Sequence, residues 1–129
     1  MIVLDASAVV EVLANSAADD RLLTWIKSSP PLQAPHLLDV EVVTALRRHC
    51  ALGSMTAERA GLALNRFLLL PITRHSHLPH IERIWELRHH FTAYDAVYLA
   101  LTEALGTVLL TRDATLAHAR LRRGRVEVI

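Results

Sequence analysis

Four carboxylic acids in this sequence stand where chemistry would need them: Asp5, Glu41, Asp95 and Asp113. Asp5 closes the apolar run Met1–Leu4, and Asp113 follows the run Thr107–Leu110 in Thr111-Arg112-Asp113. Glu41 sits among Leu37, Leu38 and Ala45 in HLLDVEVVTALRR, and Asp95 comes three residues after Thr92 in TAYDAVYLALTEALG. Each has an ordinary explanation. Asp5 and Asp113 can cap the helices that follow them. An arginine can partner Glu41, and Asp95 can favour a helix dipole. Those are four separate accidents, whereas one cause covers all of them. Carboxylates gathered without Lys or Arg partners repel one another, and a hard divalent cation cancels that repulsion. Mg²⁺ or Mn²⁺ held in this way activates water and stabilises both oxygens of a phosphodiester displacement. Ser7 and Thr111 each lie two residues from one of these acids. Their hydroxyls can orient a water or a phosphate, or make turn and cap bonds only.

The elements around them must bring these residues to one place. Met1–Leu4, Leu70–Thr73, Thr107–Leu110 and Val126–Ile129 read as short buried strands. Helices are expected over Ser7–Ala14, Asp19–Lys27, His36–Cys50, Thr56–Leu69, Leu78–His89, Thr92–Leu105 and Ala114–Leu121. Thr56 is an N-cap without the capping-box Glu, since Arg59 stands there, and Gly106 suits the end of its helix. Strands alternating with helices imply parallel pairing and an α/β sandwich. In such sheets ligands bind beyond the carboxyl ends of the strands, where Asp5 and Asp113 fall.

At 129 residues the chain suits one domain, residues 1–129, that buries about two-thirds of its unfolded surface. The single cysteine, Cys50, rules out an internal disulfide framework. MIVLDASAVV is a poor signal peptide, and no apolar stretch is long enough to span a membrane, so a cytoplasmic protein is expected. The net charge of +1 does not announce a nucleic-acid binder. The tail does concentrate Arg112, Arg120, Arg122, Arg123 and Arg125, either as phosphate contacts or as a solvated helix end. Trp25 and Trp85 read as core or interface anchors.

The segments MIVLDASAVV, HLLDVEVVTALRR and FTAYDAVYLALTEALGTVLLTRDATLAHA, in that order, resemble PIN domains. Within that family they are similar to the VapC-type toxins of prokaryotic toxin–antitoxin modules. The last segment is the most specific, with an acid at a helix start, then a strand, then T-x-D. The resemblance implies a PIN-like three-layer α/β/α sandwich with a mainly parallel central sheet. It aligns Asp5, Glu41, Asp95 and Asp113 with the family's acidic quartet and Thr111 with its common Ser/Thr position. Ser7 follows a frequent D-x-S start. It further implies a Mg²⁺- or Mn²⁺-dependent endoribonuclease with an RNA substrate, often homodimeric, neutralised by a small cognate antitoxin. A partner helix is expected on the apolar faces around Val9, Val10, Leu13, Leu22 and Trp25, unless these serve the core or a homodimer.

Other readings fit less well. The eight histidines show neither a structural zinc spacing nor H-E-x-x-H. A Ser-His-Asp hydrolase would need a G-x-S-x-G elbow, which is absent, as is a P-loop. A phosphoacceptor receiver domain needs an acid beside Asp5, an Asp after a central strand and a late Lys; the only lysine is Lys27. A PIN domain that binds without cutting would not need the intact quartet.

Overall fold

The computed structural model describes residues 1–15 and 17–129. The chain runs β1 (Ile2–Leu4), α1 (Ala6–Ala14), α2 (Asp20–Ser28), β2 (Leu32–Pro35), α3 (Leu37–Ala51), α4 (Ala57–Leu69) and β3 (Ile72–His75). A 3-10 turn at Leu78–His80 leads into α5 (Ile81–Glu86). Then follow α6 (Ala93–Leu105), β4 (Val108–Thr111), a second 3-10 turn at Ala114–His118 and β5 (Arg125–Val128). The five strands form one sheet, ordered β3-β2-β1-β4-β5, and every pairing is parallel.

Period-2 alternation in the central strands sorts the core into two layers. Ile2 and Leu4 of β1 and Leu110 of β4 face a cluster with Val9 and Leu13 of α1, Leu22 of α2, Leu38 and Val42 of α3 and Phe67 of α4. Val3 and Leu109 face the other side, against Ala96, Tyr98, Leu99 and Leu101 of α6 and Leu87 after α5. The result is an α/β/α sandwich with α1 to α4 on one face and α5 and α6 on the other. Val9, Val10, Leu13 and Leu22 are therefore core residues, and Trp25 packs half-buried against them. They are not available as the face for a partner helix. Trp85 stays exposed, with the Arg88 guanidinium stacked 4.2 Å from its ring centre.

The helix starts follow their caps. Asp5 accepts from Ala8 N, Thr56 from Arg59 N and Thr92 from Asp95 N, each satisfying an amide of the first turn. Gly106 ends α6 at φ 63°, the left-handed conformation glycine adopts without cost.

Four expectations need correction. Sequence reading passed over β2, because Leu-Gln-Ala-Pro is short and carries a polar residue and a proline. Gln33 is nevertheless buried and pairs with His75. The strand expected at Leu70–Thr73 lies two residues further on, at Ile72–His75. The helix expected over Leu78–His89 is broken: Pro79 opens a 3-10 turn and α5 stops at Glu86. Ala114–Leu121 is only a 3-10 turn through His118, because the chain must swing back quickly for β5 to pair with β4.

Candidate active site

The register of β1 with β4 creates the first half of the site. Leu4 pairs with Leu110, and the ladder continues as Asp5 N donates to Leu110 O at 3.3 Å. Asp5 and Thr111 thus meet side by side at the carboxyl edge of the two central strands. The Asp5 carboxylate is 7% exposed and fully engaged. Ser7 Oγ (2.7 Å) and Ala8 N (3.0 Å) donate to Oδ1, and Thr111 Oγ1 donates to Oδ2. The hydroxyls also accept: Ser7 from Arg112 N at 2.9 Å, and Thr111 from Asp113 N at 2.9 Å. Asp113 caps the following turn, taking both the amide (2.9 Å) and the hydroxyl (2.7 Å) of Thr115 on Oδ1. Ser7 and Thr111 therefore bind Asp5 to the chain that carries Asp113.

Glu41 and Asp95 come from helices on opposite faces of the sheet. Glu41, half-buried on α3, accepts a 2.7 Å hydrogen bond from the phenol of Tyr98 on α6. Asp95, in the first turn of α6, is held by the Thr92 cap. The charges of the four acids act on one another. Burial raises the pKa of Asp5, and the charge of Asp113 raises it further against the lowering by its three hydrogen bonds. Burial likewise raises Glu41, with Asp5 and Asp95 adding to it and Tyr98 opposing. Asp95 is raised by burial and by Asp113. Among the described residues none of the four forms an ion pair, although Glu11, Asp39, Glu86, Glu103 and Glu127 all do.

An uncompensated set of carboxylate oxygens suits a hard divalent cation. Among the described residues no three ligands already surround one point. Side chains of like charge left to repel one another are expected to stand apart in this way. An open groove of about 1140 Å³ leads away from the acids between α1 and α3. Ser7, Glu41 and Arg112 line its near end, and Arg48, His49 and Arg59 line its far end.

Comparison with known proteins places the chain in a family. Residues 2–121 match the PIN domain family. The chain belongs to that family. Over 118 residues this PIN domain is 44% identical to the protein named Ribonuclease VapC1 of Mycobacterium tuberculosis, covering 91% of this chain and 89% of that one. It is 34% identical to Ribonuclease VapC12 of the same species over 130 residues, covering 100% and 99% of the two chains. The crystal structure of PAE2754 from Pyrobaculum aerophilum shares its fold with a TM-score of 0.73 at 27% identity, over 97% of this chain and 82% of that one.

All six residues singled out from the sequence lie at this edge of the PIN domain. Of the tail arginines, Arg122, Arg123 and Arg125 do not. Arg125 begins β5 opposite Val108, at the other end of the strands, and Arg123 lies over Gly106 there. Arg122 is tied to Glu86 at 2.7 Å. Two participants escaped sequence reading. Tyr98 was hidden because its apolar neighbours made the whole turn look like core. Arg112 was counted with the tail, but it pairs with Glu11 at 3.8 Å beside the acids.

Proposed function

We propose that this chain is a metal-dependent endoribonuclease that acts as the toxin of a type II toxin–antitoxin pair. The observation that carries the reading is the placement of four acids at one end of the sheet, none with a basic partner among the described residues, where the charge of Asp113 raises Asp5 and Asp95, and the charges of those two raise Glu41. Its relatives of the VapC name support the choice of RNA as substrate. Asp5, Glu41, Asp95 and Asp113 would hold the ion, Mg²⁺ or Mn²⁺. When bound, the ion supplies Lewis-acid activation of water and stabilises the charge of a phosphodiester displacement.

The chain's own residues prepare that chemistry. Hydrogen bonds from Ser7, Thr111 and the Ala8 amide favour the ionised form of Asp5, against the burial that would protonate it. Arg48 and Arg112 line the groove where the phosphates of a bound strand would run, and a guanidinium can grip a phosphate with two hydrogen bonds. An antitoxin that presents an arginine to the same carboxylates would compete for the ion site. The reading also includes a homodimer and action in the cytoplasm. No described helix is long and apolar enough to cross a membrane. The exposed Leu78, Ile81 and Trp85 offer apolar surface for a second copy.

The direct test is cleavage of a mixed RNA substrate by the purified protein. Cleavage should need added Mg²⁺ or Mn²⁺, stop in excess EDTA and be absent from Asp5→Asn. Full cleavage in EDTA would remove the metal from the reading. In cells, wild type should arrest growth and Asp5→Asn should not; equal toxicity of the two would refute toxin action by RNA cleavage.

A further inference from the structure

The groups that hold Asp5 are Ser7, Thr111 and a backbone amide, all from the edge where it sits. Glu41 is different. It projects from α3, across the site from β1 and β4, on a side chain with three rotatable bonds. Its neighbours on that helix, Val40, Val43 and Thr44, are exposed, so solvent lies close by. Asp5 and Asp95 both press on its charge. Repulsion and hydration together would swing a free carboxylate out of the cluster.

One group opposes this. Tyr98 is 3% exposed, anchored among Val3, Leu99 and Leu109 in the layer under α6. Its ring cannot follow a wandering partner. The phenol donates to Glu41 Oε1 at 2.7 Å. A single hydroxyl thus ties α6 to Glu41 on α3. It does so from the helix that carries Asp95 one turn earlier.

We infer that Tyr98 is the positioning residue for Glu41: its hydroxyl fixes one oxygen of a repelled carboxylate on the site side of α3, leaving Oε2 to face the ligand. The inference rests on the reading of the acids as an ion site for its functional consequence, but its structural part stands alone. Partners of this kind behind ligating side chains typically change metal affinity by about 10- to 100-fold. The phenol need not touch RNA or ion to have that effect.

Tyr98→Phe removes only the hydroxyl and keeps the buried ring. The first measurement contains no cation. Side-chain NMR couplings of Glu41 should report one rotamer in wild type and an average of rotamers in Tyr98→Phe. An unchanged rotamer overturns the inference, whatever the protein's activity. The second measurement is a calorimetric titration with Mn²⁺. Tyr98→Phe should bind about 10-fold more weakly. In a Glu41→Gln background the same substitution should have no further effect, because Tyr98 acts through Glu41. A loss of equal size in both backgrounds overturns the inference, as does wild-type affinity in Tyr98→Phe. If wild type itself fails to bind Mn²⁺, the proposed ion site falls, while the rotamer measurement still decides the role of Tyr98.

Discussion

Thr111 allows the sharpest test of how the site is held together. It is fully buried, its hydroxyl donates to Asp5 Oδ2, and it accepts from the Asp113 amide at 2.9 Å. Thr111→Val replaces that hydroxyl with a methyl group of nearly the same size, so no cavity forms. The bond to a charged acceptor is worth about 1.5–3 kcal/mol, and an orphaned amide costs about 1–3 kcal/mol. The Asp113 amide is only partly buried, so water relieves some of its loss. The sum is a destabilisation of about 3 kcal/mol, or a fall in Tm of roughly 10 °C for a domain of this size. Thr111→Ser keeps the hydroxyl and loses one buried methyl, at about 1 kcal/mol. The loss in Thr111→Val should also depend on pH. The Thr111 hydroxyl lowers a pKa that burial raises. Without it Asp5 titrates higher, so the deficit is small where Asp5 is protonated in both states and grows as pH rises through the carboxylate range. Thermal unfolding in EDTA at pH 4 and pH 7 measures this, and cleavage assays should rank Ser above Val. A pH-independent deficit, or a Ser variant less stable and less active than Val, would refute the reasoning.

Two further outcomes follow from the charges. Because Asp5, Glu41 and Asp95 all have raised pKa values when folded, the metal-free protein should lose stability as pH climbs from their unfolded range through their folded values. Glu41→Gln should flatten that slope, leave Tm at neutral pH no lower than wild type, and reduce cleavage by more than about 100-fold; a clear drop in Tm would show that Glu41 is a structural residue instead. The arginines divide by position. Removing Arg122, Arg123 and Arg125 together should leave the salt dependence of RNA binding unchanged, while Arg48→Ala and Arg112→Ala should each flatten it by about one released counterion. A fluorescence binding series at several salt concentrations separates the two groups, and the opposite ranking would move the RNA path to the tail.

Legibility in the sequence varied with the source of each feature's signal. Asp5 and Thr111 could be placed because a run of buried residues ends beside each, and a parallel sheet puts such ends at one edge. The layers were legible too, since strands alternating with amphipathic helices leave few arrangements. The strand β2 was not. Its burial comes from neighbours on both sides rather than from its own Gln33 and Pro35, and no local pattern records that. Tyr98 was equally silent, because a tyrosine in an apolar helix turn looks the same whether or not its hydroxyl meets a carboxylate. The role of the tail arginines stayed open for the converse reason: clustering in sequence says nothing about which end of a strand they reach.

The central position of β1 has a consequence for how the protein is made. β1 precedes every other strand of the sheet in the chain, yet one of its two neighbours is β4, more than a hundred residues later. Asp5 cannot acquire its Thr111 partner, nor the site its Asp113, until synthesis has passed residue 113. A nascent or prematurely terminated product therefore carries some of the acids but not the edge that gathers them. For an enzyme that would cut RNA, assembly of the active edge is thereby deferred until β4 has been made.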